Sequence, residues 1–329
     1  MTTARLMQII AIVGVVVSML MNMVLGSVSV PLTEILTCLT GQCQSPLNEA
    51  LVWQIRLPRM LLAFVVGAGL AWSGAILQNC TRNPLADPYL FGVVSGAGLG
   101  VTIAHLLIPE TLAAFFPAFA FLGALLSIVI VLTLMRFLLN DEHVVLVGVA
   151  VAFLMGAVTQ FLLYVGEPMA SNRIIFWLLG SFSGAGMQQM WLIFTVLVFA
   201  GLLSIATARQ LDALLLENDS AQALGVNVQR LRKVYFTLCA LVTAFIVAYC
   251  GGIGFVGLMV PHIVRMLFGA SAIRLVAGSV LLGGVFMLWV DVLARNVLQG
   301  QEIPLGVITG LLGSLFFLAL LLNRKSTRY

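Results

Sequence analysis

Two glycine-rich segments have the residue types and spacing that could bind a phosphate group. Residues 252–257 read G-I-G-F-V-G and match G-x-G-x-x-G, and residues 95–100 read S-G-A-G-L-G. In a dinucleotide-binding fold such glycines follow a strand, and an acidic residue about 20 positions later binds the ribose. Here both segments lie beside apolar helical runs, and no acid stands about 20 positions after the first. Close packing of helices through small residues explains them better.

Other reaction chemistry has no candidate in the sequence. The chain has no G-x-x-x-x-G-K-[ST] phosphate loop, and its only lysines are Lys233 and Lys325. His105, His143 and His262 lack the H-E-x-x-H spacing of a zinc protease, and no serine lies in a G-x-S-G sequence. We therefore predict a protein that is not an enzyme, with no cofactor and no bound metal.

The composition indicates where the helices must lie. Hydrophobic residues make up 61% of the 329 residues and charged residues 9%, against roughly 45–50% and about 25% in soluble domains. Apolar runs of about 20 residues recur, which is the length that crosses about 30 Å of hydrocarbon as a helix. The sequence predicts an all-α polytopic membrane protein with about ten transmembrane helices, as a single transmembrane domain over residues 1–329.

The basic residues predict the orientation. Lys and Arg near span ends mark the cytoplasmic side of a membrane protein. With Arg5 inside, twelve of the sixteen basic residues lie inside, and four lie outside: Arg56, Arg59, Arg173 and Arg295. Both termini are then cytoplasmic, residues 27–58 form a periplasmic loop, and the short apolar run 174–179 is a helix on the outer side.

The run 234–268 is the difficult case, because basic residues flank both of its ends. About 32 residues must go out and return, and two equal legs reach about 24 Å each. We expect two short spans that turn at Gly251-Gly252, with the connection below the outer surface.

A polar island at residues 209–233 interrupts the apolar chain. It holds seven of the 28 Lys, Arg, Asp and Glu residues. We predict two short helices joined at 217–219, with Asp219 capping the second and Gln222 completing a capping box. Gly225 stands where a left-handed residue ends such a helix. The island is predicted to be a cytoplasmic region that contacts a separate energy-supplying protein; the alternative is an ordinary solvated loop.

Charged residues also stand at the predicted outer surface. Asp291 and Arg295 are four residues apart near a span end, which predicts an ion pair between them. Arg56 and Arg59 flank Pro58 and form a cationic corner on a side otherwise poor in basic residues. An acidic protein that docks from outside would use this corner; lipid-headgroup anchoring is the alternative.

The five cysteines include no C-x-x-C pair. Cys80, Cys239 and Cys250 lie in or beside apolar spans, where inert packing is usual. Cys38 and Cys43 both fall in the outer loop and could form a small disulfide if that loop faces an oxidising periplasm.

From about residue 50 to the end, a series of motifs resembles the permease family of bacterial iron-chelate and vitamin B12 ABC importers. The motifs, in order, are Q-I-R-L-P-R at 54–59, S-G-A at 73–75 with Gln78, N-P-L-A-D-P at 83–88 followed by Leu90, Gly92 and G-A-G at 96–98, W-x-x-G-S at 177–181, A-L-G at 223–225, G-F-V-G-L-x-V-P-H-x-x-R at 254–265, D-x-x-x-R at 291–295 and P-L-G at 304–306.

The resemblance implies a complex of several proteins. It implies two permease subunits, as a homodimer or with a close paralogue, two cytoplasmic ATP-binding subunits and a periplasmic substrate-binding protein. Such a protein is a multi-pass component of the bacterial inner membrane and binds no nucleic acid. The missing phosphate loop agrees with ATP hydrolysis by a separate subunit.

The resemblance also assigns residues. Arg56, Arg59 and Arg295 match positions that receive acidic residues of the binding protein. The segment that contacts the ATPase corresponds here to Glu217, Asp219, Ser220, Ala223, Leu224 and Gly225. The inner end of the pathway corresponds to Asn83, Leu85, Asp141, Glu142 and His143, although the last three residues are unusually polar for a gate.

These observations predict a permease that moves a metal chelate from periplasm to cytoplasm, most readily a ferric siderophore. Haem, cobalamin and molybdate stay open as substrates of the same family. An ion-coupled secondary transporter is the rival from another class; it needs coupling carboxylates or histidines at mid-membrane, and its lone candidate, Asp291, lies near one end of a span.

Overall fold

The computed structural model describes residues 3–26, 30–43, 45–135, 143–184, 186–298 and 300–324, and every regular element in these ranges is helical. The α-helices are α1 Thr3–Val24, α2 Leu32–Leu39, α3 Pro46–Ala50, α4 Leu57–Thr81, α5 Val93–Leu107, α6 Phe116–Met135, α7 His143–Val165, α8 Pro168–Leu178, α9 Met187–Ala206, α10 Ala208–Ala213, α11 Asn218–Ala223, α12 Val228–Cys250, α13 Val256–Phe268, α14 Ala272–Asn296 and α15 Leu305–Arg324. A π-helical turn, Leu51–Arg56, joins α3 to α4, and 3-10 turns occupy Pro88–Phe91 and Glu110–Phe115.

Ten apolar helical stretches occur within the described ranges. Seven are long and apolar enough to cross a membrane, and they comprise α3–α4, α6, α7, α9, α12, α14 and α15. Three are shorter, at Ile12–Val24, Val93–Leu107 and Val256–Phe268. The predicted polytopic all-α fold with about ten spans is confirmed.

Helix α4 is the central element of the bundle. Its apolar window is 89% buried by the rest of the chain, and it packs against α9, α12, α13 and α14. Because nearly all of its positions face other helices, many of its buried residues are small and allow those helices to approach closely. Trp72 is fully buried, and its indole Nε1 donates to Ser204 Oγ at 3.1 Å. A buried indole needs such a partner because an unsatisfied N–H in an apolar core is costly.

The G-x-G-x-x-G segment at 252–257 serves backbone packing rather than phosphate binding. Residues 251–254 have no regular secondary structure, and Gly251 and Gly252 lie against the end of α8 and the start of α15. Gly252 N donates to Leu178 O at 3.3 Å, and Ser181 N donates to Cys250 O at 2.9 Å. A Cβ on Gly252 would lie 2.5 Å from Leu178 O. Close backbone contact therefore requires Gly252, and a Cβ on Gly257 would lie 3.0 Å from Leu70 O, so the interpretation of the motif as a packing feature is confirmed.

The run 234–268 differs from the prediction of two short spans. Helix α12 has 23 residues and α13 has 13, so one leg is of full length and the other is short. The difference arises because α12 begins at Val228, inside the polar island, where Asn227 Oδ1 accepts from Arg230 N at 3.0 Å and caps the helix. The predicted turn at Gly251-Gly252 is confirmed.

The polar island contains the two predicted short helices, α10 and α11, but the predicted cap of α11 is wrong. Glu217 is the N-cap residue, without a side-chain cap hydrogen bond, and Asp219 lies within the first turn of the helix. The predicted capping box with Gln222 therefore does not form. The end of α11 is as predicted: Gly225 has φ +79°, its N–H donates to Gln222 O at 2.8 Å, and Val226 N donates to Ala221 O at 3.1 Å. This is a Schellman end.

In the described part of the segment between α1 and α4, most residues are helical, whereas the sequence predicted a loop there. Helices α2 and α3 lie in it, and Trp53 Nε1 donates to Cys38 O at 3.2 Å. Cys38 and Cys43, whose pairing the sequence left open, are joined by a disulfide, whereas Cys80, Cys239 and Cys250 are buried free thiols.

Candidate functional site

Three helices bring a cluster of charges together where α1 and α14 end and α4 begins. We call this the arginine cluster: Asn22, Arg56, Arg59, Asp291, Arg295 and Glu302. Asp291 is fully buried, and its carboxylate accepts from Arg59 Nε at 2.8 Å and Arg295 Nη2 at 2.8 Å. Asn22 Nδ2 adds a third donor at 3.1 Å. The predicted Asp291–Arg295 ion pair is confirmed, and Arg59 and Asn22 complete it.

Two of the arginines also satisfy the end of α1. Arg56 is 5% exposed and donates through Nη1 to the carbonyl oxygens of Met23 and Val24, the latter at 3.3 Å. Arg295 Nη2 donates to Asn22 O at 3.2 Å. The last carbonyls of a helix have no partner within the helix, and cationic side chains are favourable there. Arg56 and Arg295 thus cap α1 from neighbouring elements.

Arg59 connects this buried centre to the surface. Its Nη1 and Nη2 donate to the two carboxylate oxygens of Glu302 at 2.7 and 3.0 Å. The Glu302 side chain is 44% exposed, whereas the Arg59 side chain is 12% exposed. The structure therefore brings the three predicted docking arginines together, and Arg59 with Glu302 forms their most accessible edge. Sequence reading missed Asn22 and Glu302 because neither lies within one helical turn of its partner.

The polar island lies at the opposite end of α4 and α14. All six residues predicted to contact an ATPase are exposed: Glu217, Asp219, Ser220, Ala223, Leu224 and Gly225. Leu224 is 67% exposed, and Leu215 and Leu216 beside it are also exposed. Ala221 is fully buried and holds α11 against the bundle. Exposed leucines among charges at a bundle end are suited to contact with another protein.

Two side chains of the island hold transmembrane helices, and sequence reading did not single them out. Asp212 Oδ1 accepts from Ala272 N, the first amide of α14, at 2.6 Å. Asn218 Oδ1 accepts from Arg82 Nη2, and from Arg232 Nη2 at 3.4 Å. Arg82 is the C-cap residue of α4, in a left-handed conformation with φ 52°. The island thus contacts the C-terminal end of α4 and the N-terminal end of α14.

The turn after α4 carries the first two predicted gate residues. Asn83 Oδ1 accepts from Leu85 N at 2.9 Å, so the turn is held by its own asparagine, and Leu85 is 57% exposed. Asp141 and Glu142 lie outside the described residues. His143 begins α7, and its side chain is also outside the described part of the chain.

A buried carboxylate follows the same turn. Asp87 is 2% exposed, and its Oδ1 accepts from Tyr89 N at 2.7 Å. Burial raises the pKa of Asp87 to about 6, because loss of solvation outweighs this hydrogen bond.

Two cavities border α5 and α8. One, of about 930 Å³, is lined by apolar and aromatic groups with His105, Arg173, Gln189 and Tyr249 among them. The other, of about 580 Å³, also touches α7 and includes Thr159 and Gln160. Among the described residues no three His, Cys, Asp or Glu side chains are grouped as metal ligands.

Comparison with known proteins gives consistent matches along nearly the whole chain. The profile of the FecCD transport family matches residues 14–323. The cobalamin import system permease protein BtuC of Halobacterium salinarum is 38% identical over 84% of this chain and 74% of its own length. The hemin transport system permease protein HmuU of Yersinia pestis is 38% identical over 85% and 86%. A solved structure, described as an inward-facing conformation of a protein assigned as a metal-chelate type ABC transporter, superposes with a TM-score of 0.84 at 30% identity, over 95% of this chain and 97% of that one.

Proposed function

The chain belongs to the FecCD transport family and is a multi-pass permease subunit of the ABC importer class, and from this premise we propose that it moves an intact metal chelate across a bacterial inner membrane. It works in a complex with a second permease subunit, two cytoplasmic ATP-binding subunits and a periplasmic binding protein. Residues 1–329 form one permease domain with both termini in the cytoplasm. ATP is hydrolysed by the partner subunits.

The exposed island is the observation that carries this proposal. The chain has no phosphate loop, so on this proposal its energy comes from another protein. Residues 217–225 present exposed leucine and acidic side chains on a helix whose Ala221 is buried against the bundle. On this proposal α11 and the residues that flank it contact the ATPase, and Leu224 inserts into the partner's surface. The residues named above for that contact are Glu217, Asp219, Ser220, Ala223, Leu224 and Gly225.

The arginine cluster is the proposed docking site for the binding protein. Three arginines face one buried aspartate and one half-exposed glutamate, so the cluster keeps an excess of positive charge. Acidic groups of the binding protein approach Arg59 first, because Arg56 and Arg295 are deeper and hold the end of α1. Residues 27–58 then lie in the periplasm and residues 209–233 in the cytoplasm.

The inner gate is proposed at the two loops that flank the pathway on the island side. Asn83 and Leu85 contribute a rigid turn with an exposed leucine. Asp141, Glu142 and His143 complete the proposed gate, as the family resemblance implies. A bulky chelate needs a wide path with weak contacts, so a cluster of direct metal ligands is not required.

We propose a ferric siderophore as the chelate, with haem and cobalamin as alternatives because the relatives described above are named for them. The test is reconstitution of the chain with its ATPase and binding protein in liposomes, with a ferric hydroxamate, haemin, cobalamin and molybdate added in turn. The chelate that is carried stimulates ATP hydrolysis and accumulates inside. Accumulation that needs an ion gradient but no ATP would contradict the importer function.

A matched pair of variants separates the island from the rest of the surface. Leu224→Glu places a charge on the proposed ATPase contact and is expected to abolish co-purification of the ATPase. Leu47→Glu makes the same change at a leucine of α3 that is 78% exposed, and co-purification is expected to persist. Equal retention of the ATPase by both variants would remove the island from the contact.

A further inference from the structure

A carboxylate of the polar island hydrogen-bonds to the first turn of α14. Asp212 on α10 accepts from Ala272 N at 2.6 Å, although the two residues are 60 positions apart in sequence. The residue at the N-cap of α14, Ser271, makes no side-chain cap hydrogen bond. The first amides of a helix need an acceptor, and a negative charge is favourable at this end. Asp212 therefore supplies from the island the cap that α14 does not supply for itself.

A second joint holds the last turn of α4. Arg82 ends α4 in the left-handed region, which is uncommon for a residue other than glycine, and its guanidinium donates to Asn218 on α11. Arg232 at the start of α12 donates to the same oxygen at 3.4 Å. Both short helices of the island are thus attached by side chains to helices that cross the bundle.

Between their ends, α4 and α14 are packed backbone to backbone. A Cβ on Gly67 would overlap the carbonyl oxygen of Gly283, and a Cβ on Gly283 would overlap that of Gly67. Contact of this kind brings the two backbones together directly at the crossing, and close-packed interiors transmit displacement. The pair cannot slide at this level without breaking many contacts together.

The far end of the pair is joined by charge. Arg59 near the start of α4 binds Asp291 near the end of α14 at 2.8 Å, and Asp291 is fully buried. Each helix has 25 residues, so the pair spans about 37 Å. One antiparallel pair therefore has the arginine cluster at one end, a glycine crossing between, and the island at the other end.

We propose that α4 and α14 act as one rigid strut that transmits docking at the arginine cluster to the ATPase contact, with Asp212 and Asn218 as the positioning residues at its inner end. This inference rests on the proposed function of the two ends. Displacement of Glu302 by an acidic partner changes what holds Arg59, and Arg59 and Asp291 pass the shift to both helices. The island moves with them because its two helices are joined to the strut by hydrogen bonds rather than only by the chain.

The test breaks the inner joint without changing either proposed contact surface. Asp212→Ala removes the acceptor, and Ala272→Pro removes the donor on the other side. Proline suits the first position of a helix, and Ser271 already has φ −60° and ψ 135°, as a residue before proline requires. The readout is the ratio of ATP hydrolysis with and without the loaded binding protein, measured in the full complex in liposomes.

Each variant is expected to lower this stimulation ratio by about fivefold, as a lost helix cap and a coupling energy of that size imply. Basal ATP hydrolysis and the Kd for the binding protein are expected to stay within twofold of the wild type. The double variant should be no worse than either single variant, because both break one bond. Asp212→Asn keeps an oxygen acceptor and should retain the ratio.

Gln210→Ala, an exposed position on the same helix, is the matched control and should behave as the wild type. An unchanged stimulation ratio in Asp212→Ala, or additive losses in the double variant, would overturn the strut. An equal loss in Gln210→Ala would do so as well. Failure of the wild type to bind the ATPase or the binding protein would instead reject the proposed function, so the two failures are distinguishable.

Discussion

Asp291 is predicted to be a major determinant of stability at the arginine cluster. Its carboxylate is fully buried and accepts from Arg59, Arg295 and Asn22 at 2.8, 2.8 and 3.1 Å. Asp291→Ala removes the acceptor and leaves two guanidinium groups beside a cavity. Removal of one partner from a buried ion pair costs about 3–5 kcal/mol, because the remaining charge stays desolvated.

The structure places the expected value at the lower end of this range. Arg59 keeps its two hydrogen bonds to Glu302, and Arg295 keeps its bond to Asn22 O. We therefore expect Asp291→Ala to lower the free energy of unfolding by about 3 kcal/mol. The measurement is equilibrium unfolding of the purified chain by sodium dodecyl sulfate in mixed micelles, followed by tryptophan fluorescence.

Glu302→Ala is the matched comparison, because it removes the other acid from the same arginine. The Glu302 side chain is 44% exposed, and ion pairs at such surfaces contribute about 0–1 kcal/mol. The two variants should therefore differ by about 2 kcal/mol or more. Equal losses of unfolding free energy in the two variants, or a smaller loss in Asp291→Ala than in Glu302→Ala, would contradict this prediction.

Three further predictions concern other parts of the chain. Burial raises the pKa of Asp87 to about 6, so its stabilising contribution is complete below about pH 4, the pKa in an unfolded chain, and is lost as the pH rises through 6. The unfolding midpoint should therefore rise when the pH is lowered from 7.5 to 5, and Asp87→Asn should abolish much of this change. An equal pH dependence in the variant would contradict the raised pKa of Asp87. Cysteines introduced at Ser45 and Ser220 in a background without reactive thiols should be labelled from opposite sides of the membrane by an impermeant maleimide, and labelling from one side would refute the proposed topology. Cys38 and Cys43 should react with maleimide only after reduction, and equal labelling without reductant would argue against their disulfide.

Features that depend on composition or on one helical turn were predictable from the sequence. The length and apolar character of a run indicate a membrane helix regardless of which helices it packs against, so ten apolar runs indicate a polytopic bundle. Asp291 and Arg295 meet because residues four apart face the same side of a helix. Gly225 ends α11 because few other residues tolerate its positive φ. The cap of α11 shows the limit of local patterns: the capping box predicted Asp219 as the cap, whereas the helix begins at Asn218, directly after Glu217.

Only the tertiary structure decided which distant residues contact the same charged group. Arg59 and Asp291 are 232 positions apart, and Asn22 and Asp291 are 269 apart. No periodicity within a helix relates such positions, because their distance depends on which faces of α1, α4 and α14 pack together. The same packing converts Arg56 from an apparently exposed cation into a buried cap of α1. Asp212 meets the amide end of α14 for this reason too: the sequence identifies a charged island, and the folded bundle determines which helices that island holds.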